Sequence, residues 1–167
     1  MLEQEARSMF KRSSSPQHDG LRLQAMDAED LSCLSALLQD ALVRVGDIAF
    51  LPEQRRFAFL GCRYDWAAAE QGKRERCHSG VHFDGVRRVR QLKIPRAEPE
   101  AILDLLAVTF EPAVEPPGGV VTLVFAGGAA ISLDVECVEA RLQDLGPRWA
   151  AKACPSHELD EDGEGGS

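Results

Sequence analysis

Cations, thiols and imidazoles crowd one stretch of this chain. Residues 73–96 hold Lys73, Arg74, Arg76, Arg87, Arg88, Arg90, Lys93 and Arg96 against only Glu75 and Asp84, a local charge of +6. Such a density of cations suits phosphates or an acidic protein face. Arg87, Arg88, Arg90 and Lys93 fall on an expected strand, with Lys73, Arg74 and Arg76 on the loop before it, so seven cations are expected on contiguous surface. The competing reading is structural: outward arginines keep a sheet soluble, blunt its edge, or pair with acids such as Asp84 and Glu98. Aromatic side chains that would stack bases are missing from the stretch, since Phe83 reads as core.

The remaining constellations are thinner. Cys62, Cys77, His78 and His82 are ligand types suited to tetrahedral zinc, but they fit no zinc-knuckle spacing. On a strand His78 and His82 would share a face yet stand about 13 Å apart. Cys77 and His78, being adjacent, would point to opposite faces and cannot act as nucleophile and base, and no G-x-S-x-G is present. Asp134 stands before an expected helix and Glu136 in its first turn, and both are read as acids complementing its dipole. Gly127-Gly128 is read as a turn, because it lacks the spacing of a phosphate-binding loop. Arg63, Tyr64, Asp65 and Trp66 bring together residue types enriched in interface hot spots, which adds Arg63 and Trp66 to the candidate partner-binding set. Trp66 and Trp149 would serve equally as core aromatics. No catalytic residue, metal ligand or cofactor site is assigned.

The elements that must position these residues follow from periodicity. Leu21, Leu23 and Ala25 alternate with polar residues as a strand does. Asp27 is a good helix N-cap, and Leu31, Leu34, Leu37, Leu38, Ala41 and Leu42 form an apolar stripe that predicts a helix over 28–43. Strand patterns follow at about 47–51, 56–66, 78–83, 86–94 and 102–110, with a surface loop over 67–76. The clearest hairpin pairs 120–125 with 130–134, where Val121, Leu123 and Phe125 match Ile131 and Leu133 as one inward face. Val135, Val138, Leu142 and Leu145 then recur at helical spacing, and Gly146-Pro147 reads as the stop, predicting a helix over 135–145. Alternating βαβ units are absent, which disfavours a parallel sheet and its nucleotide crevice. The expected fold is α+β: an antiparallel β-sandwich or partly open barrel with an N-terminal helix and a C-terminal capping helix. In topology it is similar to the pleckstrin-homology-like (PH-like) superfold over about 43–145.

Length and composition bound the rest. With 167 residues, 44% hydrophobic and 28% charged, the chain fits one ordinary domain that needs no disulfide or metal to hold it. A single domain over 21–150 is expected, with disordered tails at 1–20 and 151–167, the second of them acidic. The net charge of -8 conceals a lopsided body, in which the +6 segment faces a remainder of -9 across residues 21–157. Five cysteines, an odd number without a C-x-x-C pair, argue against a disulfide framework. The opening MLEQEARSMFKR carries no apolar signal core and no apolar run nears 18 residues, so a cytoplasmic protein without membrane insertion is expected.

Four local runs are more specific: VGDIAFLP from Val45, CRYDW from Cys62, FDGVRRVR from Phe83 and FAGGAAISLDVECVEARLQDLGPRW from Phe125 to Trp149. Together they resemble the alphaproteobacterial family catalogued as domain of unknown function 2948, over about 21–150. The resemblance implies a small bacterial cytoplasmic protein and brings no reaction, ligand or catalytic residue with it. The residues themselves favour a non-enzymatic binding or adaptor domain that holds a protein partner or an anionic ligand. A nucleic-acid-associated protein using the 73–96 patch on RNA is the alternative, and an enzyme assembled from residues remote in sequence comes third.

Overall fold

The structure, a computed structural model, describes residues 20–151. The expected tails lie outside them, save for Gly20 and Ala151. Nine strands form one sheet: β1 (Arg22–Ala25), β2 (Ala41–Leu51), β3 (Arg56–Tyr64), β4 (Glu75–Asp84), β5 (Val86–Leu92), β6 (Ile102–Pro112), β7 (Gly119–Phe125), β8 (Ala130–Val135) and β9 (Ala140–Ala150). Two helices accompany them, α1 (Ala28–Leu37) and the single turn α2 (Trp66–Ala69). The sheet order is β1-β9-β4-β3-β2-β6-β7-β8-β5, and every neighbouring pair is antiparallel. None of these helices is long and apolar enough to cross a membrane.

One residue, Gly85, separates β4 from β5, yet these strands stand third and last in the sheet. A flat sheet would place them six strand spacings apart, roughly 29 Å, which one residue cannot span. The sheet therefore curls until the β5 edge returns toward β4, without a hydrogen-bonded ladder closing it. Gly85 makes the junction at φ 71, a left-handed conformation that glycine adopts at little cost. The curl encloses one core, in which Phe57, Phe59, Phe83, Phe125, Leu105, Leu123, Ile131 and Leu133 are fully buried. Phe57 lies between Phe59 and Phe83, at ring separations of 6.5 and 6.4 Å. Leu31, Leu34 and Leu38 bring α1 onto the same core, and burying each such side chain contributes about 1.5–3 kcal/mol.

The hairpin β7–β8 has the anticipated register, with Val121 opposite Leu133 and Leu123 opposite Ile131. Two expectations fail. The helical stripe does not continue to residue 43: Asp40 turns at φ 65, its N–H donates to the Leu105 carbonyl at 2.7 Å, and Ala41 and Leu42 enter β2 beside β6. The C-terminal helix over 135–145 is absent too, because Val135 ends β8 and Ala140–Ala150 is a strand, wedged between β1 and β4. Asp134 and Glu136 consequently cap no helix. Asp134 accepts from Arg88 and Arg90, and Glu136 from Arg55.

Candidate functional site

The inward face of β3, β4 and β9 changes character along its length. Cross-strand partners run Phe57–Phe83, Phe59–Val81, Gly61–Ser79 and Arg63–Cys77, with Ala140, Leu142 and Asp144 following on β9. Arg63 thus stands on the core side, its side chain 3% exposed. It donates through Nε and Nη2 to the two Asp144 oxygens at 2.8 and 2.7 Å, the forked geometry that guanidinium and carboxylate favour. Asp144 also accepts from Ser79 Oγ at 2.7 Å, the Leu21 N–H at 3.0 Å and Arg148 Nη2 at 3.3 Å. Burial alone would push this carboxyl up, but the donors outweigh it and hold Asp144 below the ordinary carboxylate value. Asp65 behaves alike, accepting from the Ala68 N–H and Arg148.

This knot ties β3, β4, β9 and α2 to Leu21, the residue before β1, and its charged groups are satisfied by one another. Cys77 borders it, and burial pushes its thiol up to about 11, so little thiolate exists near neutral pH. Arg63 is therefore a buried ion-pair member and cannot act as a surface hot spot. Trp66 is half-buried; its Nε1 donates to the Gln39 carbonyl at 3.2 Å and its ring meets Tyr64 edge-on at 4.7 Å. Cys62 lies opposite His78, whereas Cys77 faces inward, and among the described residues no three His, Cys, Asp or Glu side chains gather as a metal site would need.

The basic segment is split in two. Arg76 and Asp84 sit eight residues apart on β4, so roughly 26 Å separates Lys73, Arg74 and Arg76 from the start of β5. At the β5 end, Arg87, Arg88, Arg90 and Lys93 are all exposed. Asp134 on the neighbouring β8 pairs with Arg88 at 3.3 Å and Arg90 at 2.9 Å. Among the described residues, β5 is the last strand of the sheet and pairs only with β8. Beyond the ladder to β8, no backbone hydrogen bond reaches residues 87–92 from the described residues. Val86 anchors the strand in the core and Val89 is half-buried, while its other residues are exposed, Leu92 at 57%. An open groove runs beside it, lined by Arg87 and Arg88 together with Glu111, Glu115, Asp134 and Glu136.

At the opposite end, Lys73 and Arg74 are exposed, and the Arg74 carbonyl accepts from the Ala151 N–H at 2.9 Å. Arg76 is held by the Cys62 carbonyl at 3.1 Å and lies over the Tyr64 ring at 5.7 Å. Trp149 stands directly across from Arg76 and packs on His78 with ring centroids 4.9 Å apart. Sequence reading misses this aromatic pair because its members come from remote strands. Reading Gly146-Pro147 as a bulge within a strand, rather than a helix stop, is the signal that would have found it.

A family model described as a protein of unknown function (DUF2948) matches residues 21–157. No curated protein and no solved structure matches the chain.

Proposed function

Since the chain belongs to the DUF2948 family, whose description carries no function, we propose from the geometry alone that it is a non-enzymatic binding module that takes an extended acidic protein segment along β5. The observation that carries this reading is a strand at the sheet edge, open on one side among the described residues, that exposes Arg87, Arg88 and Arg90, with exposed Lys93 just after it. A row of unpaired main-chain N–H and C=O groups accepts another extended chain, and flanking cations select one with carboxylates. The PH-like comparison adds only that a curled antiparallel sheet is a fit scaffold for such an edge, because fold likeness licenses no function.

Nucleic acid is the weaker occupant of this surface. Glu111, Glu115, Asp134 and Glu136 line the neighbouring groove and repel any polyanion alike; the peptide is favoured because its own amides can pair with the β5 edge, which a phosphate backbone cannot do. The test is hydrogen exchange of the full-length protein with poly-glutamate or inorganic polyphosphate. Poly-glutamate should slow exchange at the amides of residues 87–92, whereas polyphosphate, which offers no amide, should leave them unchanged. The folded triple variant Arg87→Glu, Arg88→Glu, Arg90→Glu should lose the protection. Equal protection by both polyanions, or none from poly-glutamate, would count against edge pairing.

A further inference from the structure

Independently of β5, the far end of β4 and β9 gathers a second surface. Between the pairs His78–Leu145 and Arg76–Trp149, β9 advances four residues while β4 advances two. The two extra residues make a bulge, and Gly146 supplies its left-handed turn at φ 75. The bulge lets Arg148 reach Asp65 and Asp144 in the buried knot, while the next residue, Trp149, lies over His78 on the outer face. The indole remains 40% exposed and the imidazole beside it is exposed.

We infer that this end of the sheet is a stacking site for an unpaired base of single-stranded nucleic acid, with Lys73, Arg74 and Arg76 meeting the adjoining phosphates. Three observations support it together. An exposed indole offers a face on which any base can stack, and its contact with His78 restrains that face. Arg76 is pre-organised by the Cys62 carbonyl and the Tyr64 ring directly across the strand pair from Trp149. Lys73, Arg74 and Arg76 enter no ion pair among the described residues, unlike Arg88 and Arg90 on β5.

The test is a titration of the full-length protein against labelled oligoadenylate of roughly ten nucleotides, the scale of one stacking groove. RNA, DNA and duplex forms are compared with inorganic polyphosphate. The single strands should bind at least about tenfold more tightly than the duplex or polyphosphate, and whichever of RNA and DNA binds more tightly identifies the sugar preferred. Trp149→Leu should weaken binding by about tenfold without changing the salt dependence, and Trp149→Phe should restore most of it. Lys73→Ser with Arg74→Ser should lower the slope of log affinity against log salt by about 1.4, at about 0.7 per phosphate contact on a single strand. Should Trp149→Leu fail to fold, the phenylalanine and double-serine variants still decide. Polyphosphate binding as tightly as the oligomers, wild-type affinity in folded Trp149→Leu, or no binding of either single strand at low salt would each overturn the inference.

Discussion

Asp144 accepts bonds from four residues while lying almost wholly inside the protein, so its removal leaves the Arg63 guanidinium buried without its counter-charge. Breaking a buried pair from one side costs about 3–5 kcal/mol, and urea denaturation of Asp144→Ala should show a loss of that order. Arg63→Met in addition should cost less than the sum of the two single losses, since neither charge is then stranded. The same physics sets the response to acid. Burial raises the Asp84 carboxyl, but His82 and Arg56, the latter donating at 2.7 Å, draw it down to about 2 from an ordinary 3.8. Asp65 and Asp144 are lowered as well. A carboxyl depressed by folding stabilises the native state fully above its unfolded pKa and stops doing so as pH falls through its folded one. Stability should therefore be level at neutral pH and decline from about pH 4 toward pH 2, with a shallower decline in Asp84→Asn, as read by melting curves across that range. Thiol chemistry offers a third check, because Cys33 is exposed whereas Cys77 is buried with its pKa raised to about 11. Alkylation at neutral pH, followed by mass spectrometry, should modify Cys33 well before Cys77.

Glycines separate elements that tolerate change from those that do not. A Cβ at Gly119 would sit 2.4 Å from the Glu111 carbonyl and 2.6 Å from the Phe110 ring, inside the β6–β7 pairing, whereas one at Gly146 meets nothing. Gly119→Ala should therefore cost about 2–3 kcal/mol through forced displacement of the strands, and Gly146→Ala only about 1 kcal/mol through its positive φ. Chemical denaturation of the two variants tests that order, and a larger loss at Gly146 would mean the bulge is tighter than it looks. Legibility in the sequence follows the same division. The β7–β8 hairpin could be read because every second residue from Gly119 to Phe125 is buried and apolar side chains mark that face without interruption. β9 could not, because an inward position is taken by Asp144 while Leu145 points outward, so Leu142 and Leu145 imitated a helical stripe. The apolar stripe overruns α1 for a related reason: Ala41 sustains the spacing although it belongs to β2. Arg63 shows the limit of reading residue type as location, since an arginine on a core face announces itself only through its partner 81 residues away.

At the scale of the whole molecule, the curl of the sheet decides which charges act together. Contiguity in sequence suggested one basic surface over 73–96, but β4 carries its two ends apart by roughly 26 Å. At physiological ionic strength the Debye length is about 8 Å, so cations at one end should contribute almost nothing to binding at the other. The triple variant Arg87→Glu, Arg88→Glu, Arg90→Glu should accordingly leave oligoadenylate affinity within about twofold of wild type at 0.15 M salt. Trp149→Leu should likewise leave poly-glutamate protection of β5 unchanged. Lowering the ionic strength to about 0.01 M stretches the Debye length to about 30 Å, longer than that separation, and the reversed charges should then begin to weaken oligonucleotide binding. Paired titrations at the two ionic strengths measure this coupling directly. A loss at physiological salt as large as that caused by Lys73→Ser with Arg74→Ser would mean that one ligand spans both ends, and the basic segment would have to be treated as a single surface after all.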